Sequence, residues 1–202
     1  HNMTAMFMYM MREYRNGVLP NRNQGYSGRA TYDYDNRYLV EFNFGYNGSE
    51  NFAPGKRYGF FPAGSIGWVV SEEEFMKKAS WIDFLKVRAS YGLVGSDAFA
   101  SGAPHFLYQN NIGIGKADNY WTGLPTSETA KQGPAFWVLA VQNAGWEHVK
   151  KFDIGVDLSL FNQVNITFDY FHDVRNRILM ARASWPVMLG YWGSKPWSNI
   201  GE

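Results

Sequence analysis

From Tyr38 to Ser49 the chain alternates, with Tyr38, Val40, Phe42, Phe44 and Tyr46 falling to one side and Glu41, Asn43, Gly45 and Asn47 to the other. Successive side chains of a strand point to opposite faces, so this spacing predicts a long two-faced β-strand. One face is a continuous aromatic and aliphatic stripe. The other carries groups that bind water. In a strand of this length the pattern is that of a wall between lipid and an aqueous lumen.

The alternation recurs. Tyr26, Gly28, Ala30, Tyr32 and Tyr34 oppose Ser27, Arg29, Thr31 and Asp33, and Leu85, Val87, Ala89, Tyr91 and Leu93 oppose Lys86, Arg88, Ser90 and Gly92. Between Lys151 and Leu160, Phe152, Ile154, Val156 and Leu158 face away from Asp153, Gly155, Asp157 and Ser159. Val164, Ile166, Phe168 and Tyr170 alternate with Asn165, Thr167 and Asp169. Phe60 to Ser71 gives a weaker strand. Asn2 to Glu13 is apolar on both faces and fits either a strand or a buried helix; its neighbours favour the strand.

Connection lengths give the strands a direction. Asp35-Asn36-Arg37 and Phe161-Asn162-Gln163 are tight turns and Ser71 to Asp83 is a short connector, whereas Arg12 to Gly25, Glu50 to Gly59, Gly95 to Val149 and Arg175 to Asn199 are long. In an antiparallel meander every short link then falls at one end and every long one at the other. Outer-membrane barrels have this asymmetry, with short periplasmic turns and long extracellular loops. Ser71-Glu72-Glu73-Glu74 matches a capping box and predicts one or two helical turns over Ser71 to Ala79 at the short-turn rim.

Composition adds a second sign of a membrane wall. Aromatic residues make up 18% of the chain, with 13 Tyr and 8 Trp. Tyr34, Tyr38, Trp68, Trp81 and Phe161 fall near the short-turn end, and Tyr26, Tyr46, Phe61, Tyr91 and Tyr170 near the other, as in paired aromatic girdles. No apolar run reaches the roughly 18 residues of a membrane-spanning helix. A net charge of +1 points to no nucleic-acid partner, and the absence of cysteine excludes disulfides and thiol chemistry. The chain opens on His1-Asn2 inside an expected strand with no signal peptide, so both ends are expected to be cut from a longer protein.

Alternation alone also fits a soluble secreted β-sandwich that binds carbohydrate, with its apolar stripe turned inward. Strand length favours the membrane, since about 9–11 residues are needed to cross while soluble strands average roughly 5–6. The gathering of long loops on one side favours it too.

The order of motifs from Gly28 to Gly95 adds a resemblance. Gly28-Arg29-Ala30-Thr31-Tyr32-Asp33-Tyr34, Arg37-Tyr38-Leu39, Asn47-Gly48-Ser49-Glu50-Asn51-Phe52-Ala53, Arg57-Tyr58-Gly59-Phe60-Phe61-Pro62-Ala63, Gly67-Trp68, Ser71-Glu72-Glu73 and Leu85-Lys86-Val87-Arg88-Ala89-Ser90-Tyr91-Gly92 occur in sequence. Trp146-Glu147, Phe152-Asp153-Ile154-Gly155-Val156-Asp157, Phe168-Asp169-Tyr170-Phe171, Ile178-Leu179 and Asn199-Ile200-Gly201-Glu202 follow. Together they resemble the barrel of a SusC/RagA-like TonB-dependent transporter. Departures are Ser96, where the family usually has asparagine, and Tyr58.

The resemblance implies an all-β fold: an antiparallel transmembrane β-barrel fragment of about seven to eight strands out of about 22, the plugged-barrel size of outer-membrane transporters. Residues 1–202 are expected to be a partial barrel domain with the plug and the TonB box absent. It further implies location in the cell outer membrane of a Gram-negative bacterium and energy-coupled uptake of a glycan or, less favoured, a peptide. The implied partners are a SusD-like surface lipoprotein, TonB through the N-terminal part of the parent, and outer-membrane lipid. No cofactor or enzyme activity is implied.

Candidate chemistry is sparse. Glu147 and His148, and Asp169, His172 and Asp173, lack the spacing of a metal motif. Gly113-Ile114-Gly115-Lys116 lacks the rest of a phosphate loop. The charged and amide residues Arg29, Asp33, Glu41, Asn43, Lys86, Arg88, Asp153 and Asp157 are expected to face the lumen and bridge strands rather than act as acid and base. No catalytic or metal residue is assigned. Aromatic faces stack on sugars and on peptide side chains. Tyr120, Trp121, Trp137, Trp192 and Trp197 in the long loops are therefore candidates for substrate or lid contact, with simple loop packing as the competing role.

Overall fold

The computed structural model describes residues 1–15, 20–78, 81–98, 106–114, 119–122, 129–182, 186 and 196–202. Thirteen strands are described: β1 (Asn2–Arg15), β2 (Pro20–Tyr34), β3 (Tyr38–Ser49), β4 (Tyr58–Val69), β5 (Ile82–Ser96), β6 (Asn111–Gly113), β7 (Asn119–Thr122), β8 (Thr129–Gln132), β9 (Ala135–Val138), β10 (Glu147–Leu160), β11 (Val164–Asn176), β12 (Ile178–Ala181) and β13 (Trp197–Gly201). Seven of them form one antiparallel sheet in the order β1-β2-β3-β4-β5-β10-β11. The short strands pair among themselves as β12–β13, β6–β9 and β7–β8.

Register converts the alternation into two faces. Tyr26 pairs with Tyr46 and Tyr46 with Phe60, while Thr31 pairs with Glu41, Glu41 with Ser65, Ser65 with Ser90 and Ser90 with Asp153. The apolar stripe is bare: Phe42 is 50% exposed and Phe168 65%. Among the described residues no second sheet lies over it, which removes the sandwich reading. Phe44 is half-buried because its ring covers Gly28 and lies beside Phe42 and Phe60.

The tight turns have a local cause. Asp35 and Asn36 hold φ of 55° and 54°, Arg37 N–H donates to the Tyr34 carbonyl at 3.0 Å, and Asp33 Oδ1 accepts from Asn36 N–H at 2.8 Å. Two successive left-handed residues match the right-handed twist of the strands they join. Phe161 and Asn162 repeat the geometry with φ of 54° and 52°.

Several expectations are corrected. Arg12 to Gly25 is not a long connection: β1 and β2 stay paired to Arg15 and Pro20, so only residues 16–19 join them. The Asn2 segment is strand, pairing with β2 along its whole length. The capping box does not form; Val70–Glu72 is a single 3₁₀ turn with no side-chain cap, and the Ser71 hydroxyl is buried without a partner. The terminal Asn199 motif adds no eighth strand to the sheet, because β13 folds back on β12. Phe61 belongs to no girdle. It is 7% exposed and sits in a buried cluster with Phe52, Leu107, Ala144, Trp146 and Leu179.

Candidate functional site

Two charged groups occupy the polar face. Arg29 of β2 pairs with Glu41 of β3 at 2.8 Å, and Asn43 donates to the same carboxylate at 2.6 Å. Across the sheet, Arg88 of β5 reaches Asp153 at 3.7 Å and Asp157 at 3.4 Å on β10, and also bonds Asp169 of β11. Between them lies a trough of about 470 Å³ whose lining includes Thr31, Asp33, Glu41, Ser65, Lys86 and Ser90. Small residues on β4 and β5 keep its floor low, and the flanking ions are half-exposed. Such pairs, open to water, contribute about 0.2–1 kcal/mol each. Their arrangement binds strand to strand and leaves an open polar surface. It positions no acid opposite a base.

At the long-loop end the wall carries a knot. The Phe61 ring lies over Gly59 and Gly95, where any β-carbon would collide with it, and meets Trp146 edge-on at 5.2 Å between ring centres. Phe52, 1% exposed, packs tilted against Trp146 at 5.3 Å between ring centres. Polar groups tie the same loops: Trp146 Nε1–H donates to the Arg57 carbonyl at 3.2 Å, and Lys56 Nζ donates to Asn143 Oδ1 at 2.7 Å. The Asn199 side chain closes the knot from β13, accepting from Gly145 N–H at 3.1 Å and donating to the carbonyls of Gly145 (2.9 Å) and Arg177 (2.7 Å).

At the short-turn rim, Glu73 accepts from the Tyr38 hydroxyl at 2.8 Å and the Trp68 indole at 3.2 Å, with Arg37 at 3.7 Å. These donors, Tyr38 foremost, hold its carboxyl below the ordinary glutamate range.

The eight charged and amide candidates Arg29, Asp33, Glu41, Asn43, Lys86, Arg88, Asp153 and Asp157 all project to the polar face by register. Of the aromatic candidates, Trp197 alone has a described side chain. Trp197 is half-buried against the knot. Tyr120 and Trp121 lie in β7 and Trp137 in β9, where only the backbone is described, and Trp192 lies outside the described residues. Among the described residues no group of three or more His, Asp or Glu side chains could hold a metal ion. Sequence reasoning missed the knot. Its signals were a phenylalanine in a polar loop (Phe52), adjacent aromatics that break the alternation (Phe60-Phe61) and a tryptophan just outside β10 (Trp146).

No family model matches the chain. It is 30% identical over 176 residues to TonB-dependent receptor P3 of Formosa agariphila, which covers 87% of this chain and 16% of that protein. It is 29% identical over 140 residues to TonB-dependent receptor SusC of Bacteroides thetaiotaomicron, covering 68% of this chain and 13% of the relative. The RagAB peptide importer in its closed-closed state shares the fold, with a TM-score of 0.71, 18% identity, and coverage of 91% of this chain and 18% of that one. The open antiparallel sheet with one greasy and one ionic face is thus a stretch of transmembrane β-barrel wall, of the class that includes TonB-dependent transporters. Within that class the chain belongs to the SusC/RagA-like family, and it spans about one sixth or less of the length of the relatives it matches.

Proposed function

We propose that this segment forms barrel wall and extracellular loops of an energy-coupled importer in the outer membrane, taking up a glycan or a peptide. One observation carries the reading: a seven-stranded sheet presents bare apolar side chains on one face and paired ions around an open trough on the other. A soluble protein does not leave a contiguous apolar surface of this breadth open to water. Both outer strands, β1 and β11, end the sheet with an unpaired edge among the described residues. In hydrocarbon each unmet amide costs several kcal/mol, so further strands of the parent must continue the wall on both sides.

In this reading the face carrying Arg29, Asp33, Glu41, Asn43, Lys86, Arg88, Asp153 and Asp157 lines the lumen. The long loops project outward, where a SusD-like lipoprotein covers them. TonB acts through the N-terminal part of the parent. Of the aromatic candidates, Trp121 is the residue assigned to substrate or lid contact. The test uses the full-length protein expressed in a Gram-negative host. It is expected to fractionate with the outer membrane and to require detergent for extraction, and substrate uptake is expected to stop when the proton gradient is collapsed. Trp121→Ala is expected to weaken uptake or lid capture without changing barrel assembly. A detergent-free soluble monomer refutes the membrane reading; unchanged uptake and unchanged lid capture refute the role of Trp121.

A further inference from the structure

The rim segment after β4 carries a feature that wall-building does not use. Tyr38 and Trp68 are paired across β3 and β4 and both project from the apolar face. Glu73 binds both of them, so the turn that follows folds over the apolar side of the rim and not beneath the lumen. Beyond that clamp, Phe75 is 61% exposed, and Lys77 and Lys78 are exposed beside it. Trp81, also exposed, adds a second aromatic where the chain returns to β5, its carbonyl accepting from Phe161 N–H at 3.3 Å. An exposed aromatic next to lysines, two residues beyond a carboxylate anchored to the lipid-facing surface, is the composition of an element that lies in a membrane interface. The ring enters the acyl boundary and the lysine stems carry their charges up to the phosphates.

We propose that the turn Glu73 to Lys78 is a foot that rests in the phospholipid headgroup layer at the short-turn end of the wall, with Phe75 inserted into lipid and Lys77 and Lys78 at the phosphates. The inference rests on the membrane reading given above and adds a lipid contact outside the strands. It also explains the geometry of Glu73. A carboxylate that captures a tyrosine hydroxyl and an indole N–H fixes the angle at which the turn leaves the barrel. Phe75 is thereby held on the lipid side.

The test uses the full-length transporter reconstituted in vesicles of phosphatidylethanolamine and phosphatidylglycerol. These 202 residues contain no cysteine, so single sites can be labelled once any cysteine elsewhere in the parent is replaced. Phe75→Cys, Glu72→Cys and Phe42→Cys are each labelled with an environment-sensitive fluorophore, and quenching is read from headgroup-located spin label, deep-chain spin label and aqueous iodide. Position 75 is expected to be quenched by the headgroup label, shielded from iodide and shifted to shorter wavelength relative to position 72. Position 42 is expected to be quenched by the deep-chain label. Lys77→Glu combined with Lys78→Glu is expected to return position 75 toward the emission of position 72. Iodide quenching at 75 as full as at 72, with lipid quenching at 42 intact, overturns the foot and leaves the wall standing. Loss of lipid quenching at 42 overturns the membrane reading itself. An unchanged signal at 75 after charge reversal overturns the part assigned to the lysines.

Discussion

Phe61 is the ring on which the long loops close, and its removal separates what the knot holds from what the strand ladder holds. It is 7% exposed, meets Trp146 at 5.2 Å and covers Gly59 and Gly95. Truncating a buried phenylalanine to alanine destabilises by about 3–5 kcal/mol. The lost edge-to-face pair accounts for about 0.5–1.5 kcal/mol of that. None of the ladder hydrogen bonds is touched. Phe61→Ala is therefore expected to expose the loops around Phe52 and Trp146 to protease while the barrel still assembles and still migrates as a folded species on unheated gels.

The sharper measurement is a double-mutant cycle with Gly95. The three atoms nearest a β-carbon at Gly95 all belong to the Phe61 ring. Gly95 does not occupy the left-handed region, so alanine there meets a steric obstacle and no backbone strain. Overpacking of this kind costs about 1–3 kcal/mol. Gly95→Ala should carry that cost in the parent background and almost none beside Phe61→Ala, a coupling of about 1–3 kcal/mol read from urea unfolding in detergent. An equal cost for Gly95→Ala in both backgrounds refutes the packing account of the knot.

Three further outcomes are expected. Glu73 has a lowered pKa in the folded state, so the stability it contributes is present at neutral pH and is lost as pH falls through that lowered value; the acid limb of rim unfolding, followed by hydrogen exchange over residues 70–78, should flatten in Glu73→Gln. Arg88→Ala leaves Asp153, Asp157 and Asp169 without their shared cation. It should destabilise the wall by roughly 1 kcal/mol at low salt, an effect largely erased at about 1 M salt in paired urea titrations. Asn199→Ala removes three hydrogen bonds that join β13 to Gly145, which precedes β10, and to Arg177. A loss of about 1–3 kcal/mol is expected, confined to the β12–β13 hairpin and visible as faster amide exchange at residues 197–201 with β10 unchanged.

The wall was legible because alternation carries it. From Tyr38 to Ser49 the strand appears with the bounds its spacing predicts, and the polar residues of five neighbouring strands fall into one face by register. Where a second demand is superimposed on the period, the reading weakens. β1 is ambiguous in sequence because Met6, Met8 and Met10 share the face of Arg29 and Thr31, so both of its sides are apolar. Strand ends were short by several residues at Pro20 and Arg15, since Asn21, Arg22, Asn23 and Gln24 look like loop yet pair as strand above the apolar belt. Ser71 to Glu74 reads as a helix start by local spacing. Glu73 is instead drawn to Tyr38 and Trp68, partners that no local pattern contains.

Several motifs of the family resemblance meet in the knot, and there is a physical reason for it. Many residue choices satisfy a lipid-facing position: any aliphatic or aromatic side chain serves at Val40 or Ile154, and any hydrated one at Thr31 or Ser90. The knot admits few. Gly59 and Gly95 must lack a β-carbon for Phe61 to lie flat, Phe61 must be large enough to reach Trp146, and Trp146 must offer an N–H to the Arg57 carbonyl. Asn199 must both donate and accept, which only an amide does at that length. The loop motif Asn47 to Ala53, the Arg57 to Ala63 run, Trp146 and the Asn199 motif are far apart in the chain, and they meet at this one place. Alternation alone specifies a wall position by its side, whereas each member of the knot is specified by the shape and hydrogen-bonding capacity of the others.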